Sequence, residues 1–140
     1  MYNPYSLVGK TILITGASSG IGRATAIECS KLGAKLIITA RNETRLNETL
    51  DSLDGEGHKM IIADLAETSN IEALVNELPK IDGFSCNAGV AITQPIGFYK
   101  EDEIERVFKV NTFSMMMLTK FLVKKKKLNK GASIVYTASI

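Results

Sequence analysis

The stretch from Thr11 to Gly22 constrains this chain most. Thr11-Ile12-Leu13-Ile14-Thr15 is apolar and rich in β-branched residues, the make-up of a strand buried on both faces. It runs directly into Gly16-Ala17-Ser18-Ser19-Gly20-Ile21-Gly22, and from about Gly20 to Leu32 the pattern is helical, with Gly33 placed to end it. A strand feeding a helix through such a turn leaves the first N–H groups and the positive end of the helix facing an anion. The glycines permit the tight turn and a close approach of backbone to phosphate, and Gly22 lets the helix pack near the strand. A lone glycine pattern would be weak. Here a strand precedes it, a helix follows it, and another strand-helix-strand unit comes next.

The same rhythm continues. Lys35–Ala40 reads as a second strand, Glu43–Leu53 as a helix with Leu46, Leu50 and Leu53 on one side, 54–57 as a turn, and His58–Ala63 as a third strand. Ile71, Leu74, Val75 and Leu78 fall at i, i+3, i+4 and i+7 of an amphipathic helix closed by Pro79. Ile81–Cys86 is a fourth strand that enters the turn Asn87-Ala88-Gly89. A loop with Pro95 and Gly97 leads to a long helix over Glu101–Lys125, and Ala132–Ala138 is a fifth strand. Right-handed crossovers turn this βαβαβαβαβ order into an α/β fold, a Rossmann-type doubly wound parallel sheet with helices on both faces. Ligands of such sheets bind at the carboxyl ends of the strands. The 140 residues make one domain by length.

Composition narrows the classes further. The chain is 45% hydrophobic, enough for a core, yet has no 18-residue apolar run, so no membrane span is expected. Met1–Lys10 has no signal-peptide pattern. A net charge of +2 does not argue for nucleic acid. The run Lys124–Lys127 reads as the solvated, dipole-compensating end of the long helix rather than an RNA patch. Cys29 and Cys86 read as buried free thiols of a reducing cytoplasm. His58 reads as a surface residue, the cluster Met115–Met117 as packing or interface filler, and no group has zinc spacing.

Asn111 falls within the apolar stripe of the long helix. A buried amide needs partners, so it either locks nearby backbone or holds an ordered water. Ser139 ends the fifth strand, which puts its hydroxyl at the ligand-binding edge.

Thr-Gly-x-x-x-Gly-x-Gly, here TGASSGIG, resembles the cofactor fingerprint of the short-chain dehydrogenase/reductases, in the spacing of their compact single-domain branch. The extended branch has its glycines spaced differently. The resemblance runs from about Gly9 to the last residue. It implies a nicotinamide dinucleotide on Gly16, Ser18, Ser19, Gly20, Ile21 and Gly22, with Asp64 and the Leu65 backbone beside the adenine. Asn87-Ala88-Gly89 resembles the family's Asn-Asn-Ala-Gly turn, with Cys86 in place of the first Asn. That swap puts in doubt a side-chain bond between the central strands.

Where an acidic residue would meet the ribose of NAD, this chain has Thr39-Ala40-Arg41, and a guanidinium suits the 2′-phosphate of NADP. The resemblance further implies that Asn111 holds a water of a proton relay and that Ser139, 28 residues on, orients a substrate carbonyl. The family's general acid, the Tyr of a Tyr-x-x-x-Lys pair, would lie about a dozen residues beyond Ser139, past Ile140. The expectation is therefore a domain incomplete at its C-terminus. The intact protein would be a cytoplasmic, homodimeric or homotetrameric NADP-dependent reductase of a small-molecule carbonyl or alcohol. The alternative is a non-catalytic dinucleotide-binding module, or a truncated member of the family, acting as a sensor or interaction partner.

Overall fold

The computed structural model describes residues 2–139. Its elements are β1 (Thr11–Thr15), α1 (Gly20–Lys31), β2 (Lys35–Ala40), α2 (Glu43–Asp51), β3 (Lys59–Ile62), α3 (Thr68–Glu77), β4 (Ile81–Cys86), a 3₁₀ turn (Ile96–Phe98), α4 (Glu101–Phe108), a π-helical turn (Lys109–Phe113), α5 (Ser114–Lys124) and β5 (Leu128–Tyr136). The strands form one parallel sheet in the order β3-β2-β1-β4-β5. The chain therefore reverses its direction of travel between β1 and β4, and a crevice opens at the carboxyl ends of those two strands.

Alternation along the strands divides the core into two layers. Leu13, Ile37 and Phe84 pack with Leu74, Val75, Leu118 and Leu122 of α3 and α5. Ile14, Leu36 and Ile38 pack with Ala26 of α1 and Leu46 of α2. Both faces of β1 and β2 are covered, which is why these strands read as unbroken apolar runs. Gly33 ends α1 at φ +92°, donating to the Ser30 carbonyl at 2.9 Å. Asn42 caps α2 by accepting the Arg45 N–H at 2.9 Å.

Several boundaries differ from the sequence reading. The helix expected over 101–125 is interrupted, and at the interruption the Ser114 N–H reaches back five residues to the Lys109 carbonyl. β5 begins at Leu128 rather than Ala132. Its register jumps from Ile81↔Leu128 to Gly83↔Ser133, with Gly131 at φ +79° in the irregular stretch. The polar residues Asn129 and Lys130 hid this first half of the strand. α2 stops at Asp51 and β3 spans only Lys59–Ile62.

Two expectations are corrected. The lysines after α5 serve the end of α3 rather than only their own helix. Lys125 pairs with Glu72 at 2.8 Å and donates to Asn76 Oδ1 at 2.6 Å, while Lys127 donates to the Leu78 carbonyl. His58 is half-buried, not a surface residue. Its Nδ1 accepts the Leu36 N–H at 3.1 Å and its Nε2 lies 2.8 Å from the Asp54 carbonyl. These partners assign the proton to Nε2, so the ring staples the turn after α2 to the start of β2. Cys29 is half-buried and Cys86 buried, and both are free thiols. Met115 and Met117 pack against the core while Met116 is exposed.

Candidate cofactor cleft

A cleft of about 560 Å³ opens at the carboxyl ends of β1 to β4. All twelve residues expected at a dinucleotide line it: Gly16, Ser18, Ser19, Gly20, Ile21, Gly22, Arg41, Asp64, Leu65, Asn87, Ala88 and Gly89. Parallel pairing brings them together, because it puts every strand's carboxyl end on the same edge.

The glycine turn is built by contact as much as by torsion. Gly16 has φ +65°, and a Cβ there would stand 2.7 Å from the Asn87 carbonyl carbon and 2.8 Å from the Ala88 nitrogen. At Gly22 a Cβ would meet the Gly16 carbonyl oxygen at 2.2 Å. Gly20 differs: its φ is +54° but a Cβ would meet nothing within 4 Å, so it serves conformation and leaves the cleft open. Ser19 is extended and makes no side-chain cap to α1. The first-turn N–H groups thus face the cleft without a hydroxyl on them, ready for an anionic ligand. A turn packed too closely for side chains at Gly16 and Gly22, open at Gly20 and beneath an uncapped helix, fits a pyrophosphate.

Thr15 joins the two central strands and is not legible in the sequence as a site residue, because a buried β-branched residue in a strand gives no polar signal. Its Oγ1 accepts the N–H groups of Asn87 at 3.1 Å and Ala88 at 3.3 Å, and donates to Cys86 Sγ at 3.6 Å. The hydroxyl thereby holds the turn that packs on Gly16, and the thiol supplies a weak acceptor where the family pattern has an amide. Burial pushes the Cys86 thiol pKa up, against the smaller effects of its bonds to Thr15 and the Ala88 N–H. Asn87 donates to Ser85 Oγ at 3.0 Å and accepts from Thr137 Oγ1 at 2.6 Å, which ties the exit of β5 to the same turn.

Asp64 is one-third exposed and carries an ion pair that spacing could not show. Its Oδ1 accepts the Ala66 N–H at 3.0 Å, and Arg106 of α4 lies 3.1 Å from Oδ2. Partial burial opposes ionisation of Asp64, but the Ala66 N–H, the Arg106 guanidinium and the charge of Arg41 together hold its carboxyl below the usual range. Arg45, in the first turn of α2, also lines the cleft beside Arg41. Its cue was present in the sequence: an Asn cap at 42 sets residue 45 one turn in, on the side facing the strand ends.

The two expected chemical residues do not line this cleft. Asn111 sits in the π-helical turn. Its Oδ1 accepts the Val90 N–H and its Nδ2 donates to the Val90 carbonyl, each at 2.8 Å. Of the two readings open for this amide, the backbone lock is the one these bonds form, immediately behind Gly89. Ser139 is exposed beyond the end of β5, at the same edge of the sheet. Among the described residues no cluster of three or more His, Cys, Asp or Glu could hold a metal ion, and no helix is long and apolar enough to cross a membrane.

The family model for short chain dehydrogenase matches residues 10–140. The 3-oxoacyl-[acyl-carrier-protein] reductase FabG of Rickettsia felis is 34% identical over 134 residues, covering 96% of this chain and 55% of that protein. An oxidoreductase of Bacillus subtilis, YhxC, is 37% identical over 96% of this chain and 49% of its own. A short chain dehydrogenase from Escherichia coli CFT073, solved with NADPH, superposes with a TM-score of 0.84 at 29% identity, covering 98% of this chain and 62% of that one. The chain spans about half the length of the curated relatives it matches. The glycine cradle, the strand order and these matches agree: the chain belongs to the short-chain dehydrogenase family.

Proposed function

We propose that the protein is an oxidoreductase that moves a hydride between NADP(H) and the carbonyl or secondary alcohol of a small molecule. The observation that carries the choice of nucleotide is Arg41 with Arg45 at the mouth of the cleft, where β2 ends without a carboxylate. Two guanidinium groups suit a 2′-phosphate, which accepts paired N–H bonds. The NADPH complex of the Escherichia coli relative supports the same reading.

In this reading the Gly16–Gly22 turn and the first N–H groups of α1 hold the pyrophosphate. Asp64 and the Leu65 backbone meet the adenine, and the Asn87–Gly89 backbone lies along the ribose. The dinucleotide supplies the hydride chemistry when bound. Ser139 donates a hydrogen bond to the substrate carbonyl and orients it. Asn111 holds the loop after β4 through Val90, and its Oδ1 and Nδ2 each keep capacity for one further bond, which suits a water in a proton relay.

A general acid must deliver a proton to the carbonyl oxygen as the hydride arrives. Tyr136, nearest to the expected Ser, has its hydroxyl 2.5 Å from Thr119 Oγ1, facing α5. We assign the acid to a Tyr-x-x-x-Lys pair outside these 140 residues, with 1–140 as the cofactor-binding portion of the domain. Free thiols at Cys29 and Cys86 support a cytoplasmic location, and exposed Phe108, Phe113 and Met116 support a homodimer or homotetramer.

The test is calorimetric titration of NADPH and NADH into wild type and Arg41→Ala. Loss of hydrogen bonds to a charged group should weaken NADPH by about 1.5–3 kcal/mol and leave NADH nearly unchanged. Equal affinity of the wild type for both nucleotides would reject the assignment.

A further inference from the structure

Arg106 belongs to no motif, yet it makes the only ion pair of Asp64 among the described residues, with Nη2 at 3.3 Å from Oδ1 and 3.1 Å from Oδ2. The helix that carries it, α4, buries none of its own residues. Packing within α4 is therefore slight, and the carboxylate is the charged partner that holds the Arg106 side chain. Glu103, one turn earlier, is engaged elsewhere, accepting from Gln94 Nε2 at 2.7 Å and the Lys100 N–H at 3.2 Å.

Asp64 lines the cofactor cleft, whereas Arg106 lines a second cleft of about 380 Å³, and Arg41 lines both. A bare carboxylate in the first cleft would repel any further phosphate brought beside Arg41, and would compete for Arg41 itself. Charges of this kind act over several ångströms in a half-exposed site, so contact with the ligand is not required.

We propose that Arg106 is a positioning residue for nucleotide choice: by pairing with Asp64 it cancels the carboxylate's repulsion of a 2′-phosphate and so favours NADPH over NADH. This rests on the dinucleotide reading of the cleft given above. Arg106 acts through Asp64 and needs no contact with the nucleotide.

The experiment measures dissociation constants of the full-length protein for NADPH and NADH at low salt, in wild type, R106Q, R106K, D64N and D64N/R106Q. R106Q should lower the preference for NADPH about three- to tenfold. R106K, which keeps the charge, should hold it within about twofold, and D64N/R106Q should restore it because both charges are gone. Added salt should shrink every difference. A residue that merely anchors α4 would weaken both nucleotides alike, so an unchanged preference in R106Q, or no restoration in the double variant, overturns the proposal. If R106Q does not fold, D64N alone decides, since it must raise the preference, and no rise overturns it. A wild type without preference for NADPH rejects the Arg41 reading, while the change from wild type to R106Q still judges Arg106. Binding of neither nucleotide rejects both.

Discussion

Gly22→Ala sets two physical effects against each other with opposite signs. Alanine is the better helix former, and by propensity alone it would stabilise α1 by up to about 1 kcal/mol. The packing says the reverse. A Cβ at 22 would stand 2.2 Å from the Gly16 oxygen, 2.6 Å from the Gly16 carbonyl carbon and 3.0 Å from the Thr15 oxygen. The first of these is roughly 1 Å short of an ordinary carbon–oxygen contact. Every obstacle is main chain, and the turn cannot retreat freely, because Gly16 is itself pressed against the Asn87–Ala88 backbone. Overpacking a rigid site costs about 1–3 kcal/mol and sometimes more, so the net expectation is a loss of about 2 kcal/mol. Urea denaturation followed by circular dichroism reads this directly. Dinucleotide affinity should fall at least tenfold, since any shift of α1 moves the N–H groups that meet the pyrophosphate. Gly20→Ala is the control: with nothing within 4 Å and φ +54°, it should cost about 1–2 kcal/mol through backbone strain alone. A Gly22→Ala variant as stable as wild type, or more so, would refute the close approach of α1 to β1.

The other expectations concern single polar groups. Thr15→Val leaves the Asn87 and Ala88 N–H groups without their acceptor and should cost about 2–4 kcal/mol by urea denaturation, with Thr15→Ser recovering most of it. Thr39 Oγ1 is buried with no partner among the described residues, so Thr39→Val should be neutral or stabilising by about 1 kcal/mol; a loss of that size would show a bonded hydroxyl. Asp64 has a depressed carboxyl pKa in the folded chain, so its contribution is present above its unfolded value and lost as pH falls through the folded one. The stability gap between wild type and Asp64→Asn should be steady above about pH 5, at no more than about 1 kcal/mol for a pair this exposed, begin to narrow near about pH 4 and vanish only below the depressed folded value. A gap that widens in acid would contradict the ion pair.

The sequence showed what depends on local pattern, and the structure added what depends on pairs distant in the chain. The strand-turn-helix join from Thr11 to Gly22 is specified within a dozen residues, so both its elements and its glycines could be read. Leu13 and Ile14 point to opposite layers, and an unbroken apolar run is what that demands. The start of β5 could not be read, because Asn129 and Lys130 lie in an irregular stretch where alternation breaks. His58 reads as a surface residue for a related reason. Its partners, Leu36 and Asp54, come from other elements, and a lone histidine beside glycines looks like surface until the strands are placed.

The same distinction runs through the site itself. Glycine, arginine and asparagine announce themselves because their chemistry is unusual where they stand. The groups that hold them in register do not: Thr15 looks like strand filler, and Arg106 like one charge among several on an exposed helix. Yet each of these joins elements far apart in the chain, Thr15 reaching across 72 residues to Asn87 and Arg106 across 42 to Asp64. Asn111 belongs with them, since its two bonds to Val90 fix the backbone behind Gly89 whatever further bond it makes. α4 buries no residue of its own and Val110 is the one buried residue from Arg106 to Asn111, so these polar contacts act with that single apolar anchor to orient the segment against the strand ends. If that is how the site is held, Asn111→Leu should loosen the loop at Val90 and lower dinucleotide affinity while leaving the two core layers folded. Amide hydrogen exchange would then quicken at Val90 and Ala91 before it changes in β1 or β2. Uniform quickening across the sheet would mean that Asn111 supports the whole fold instead.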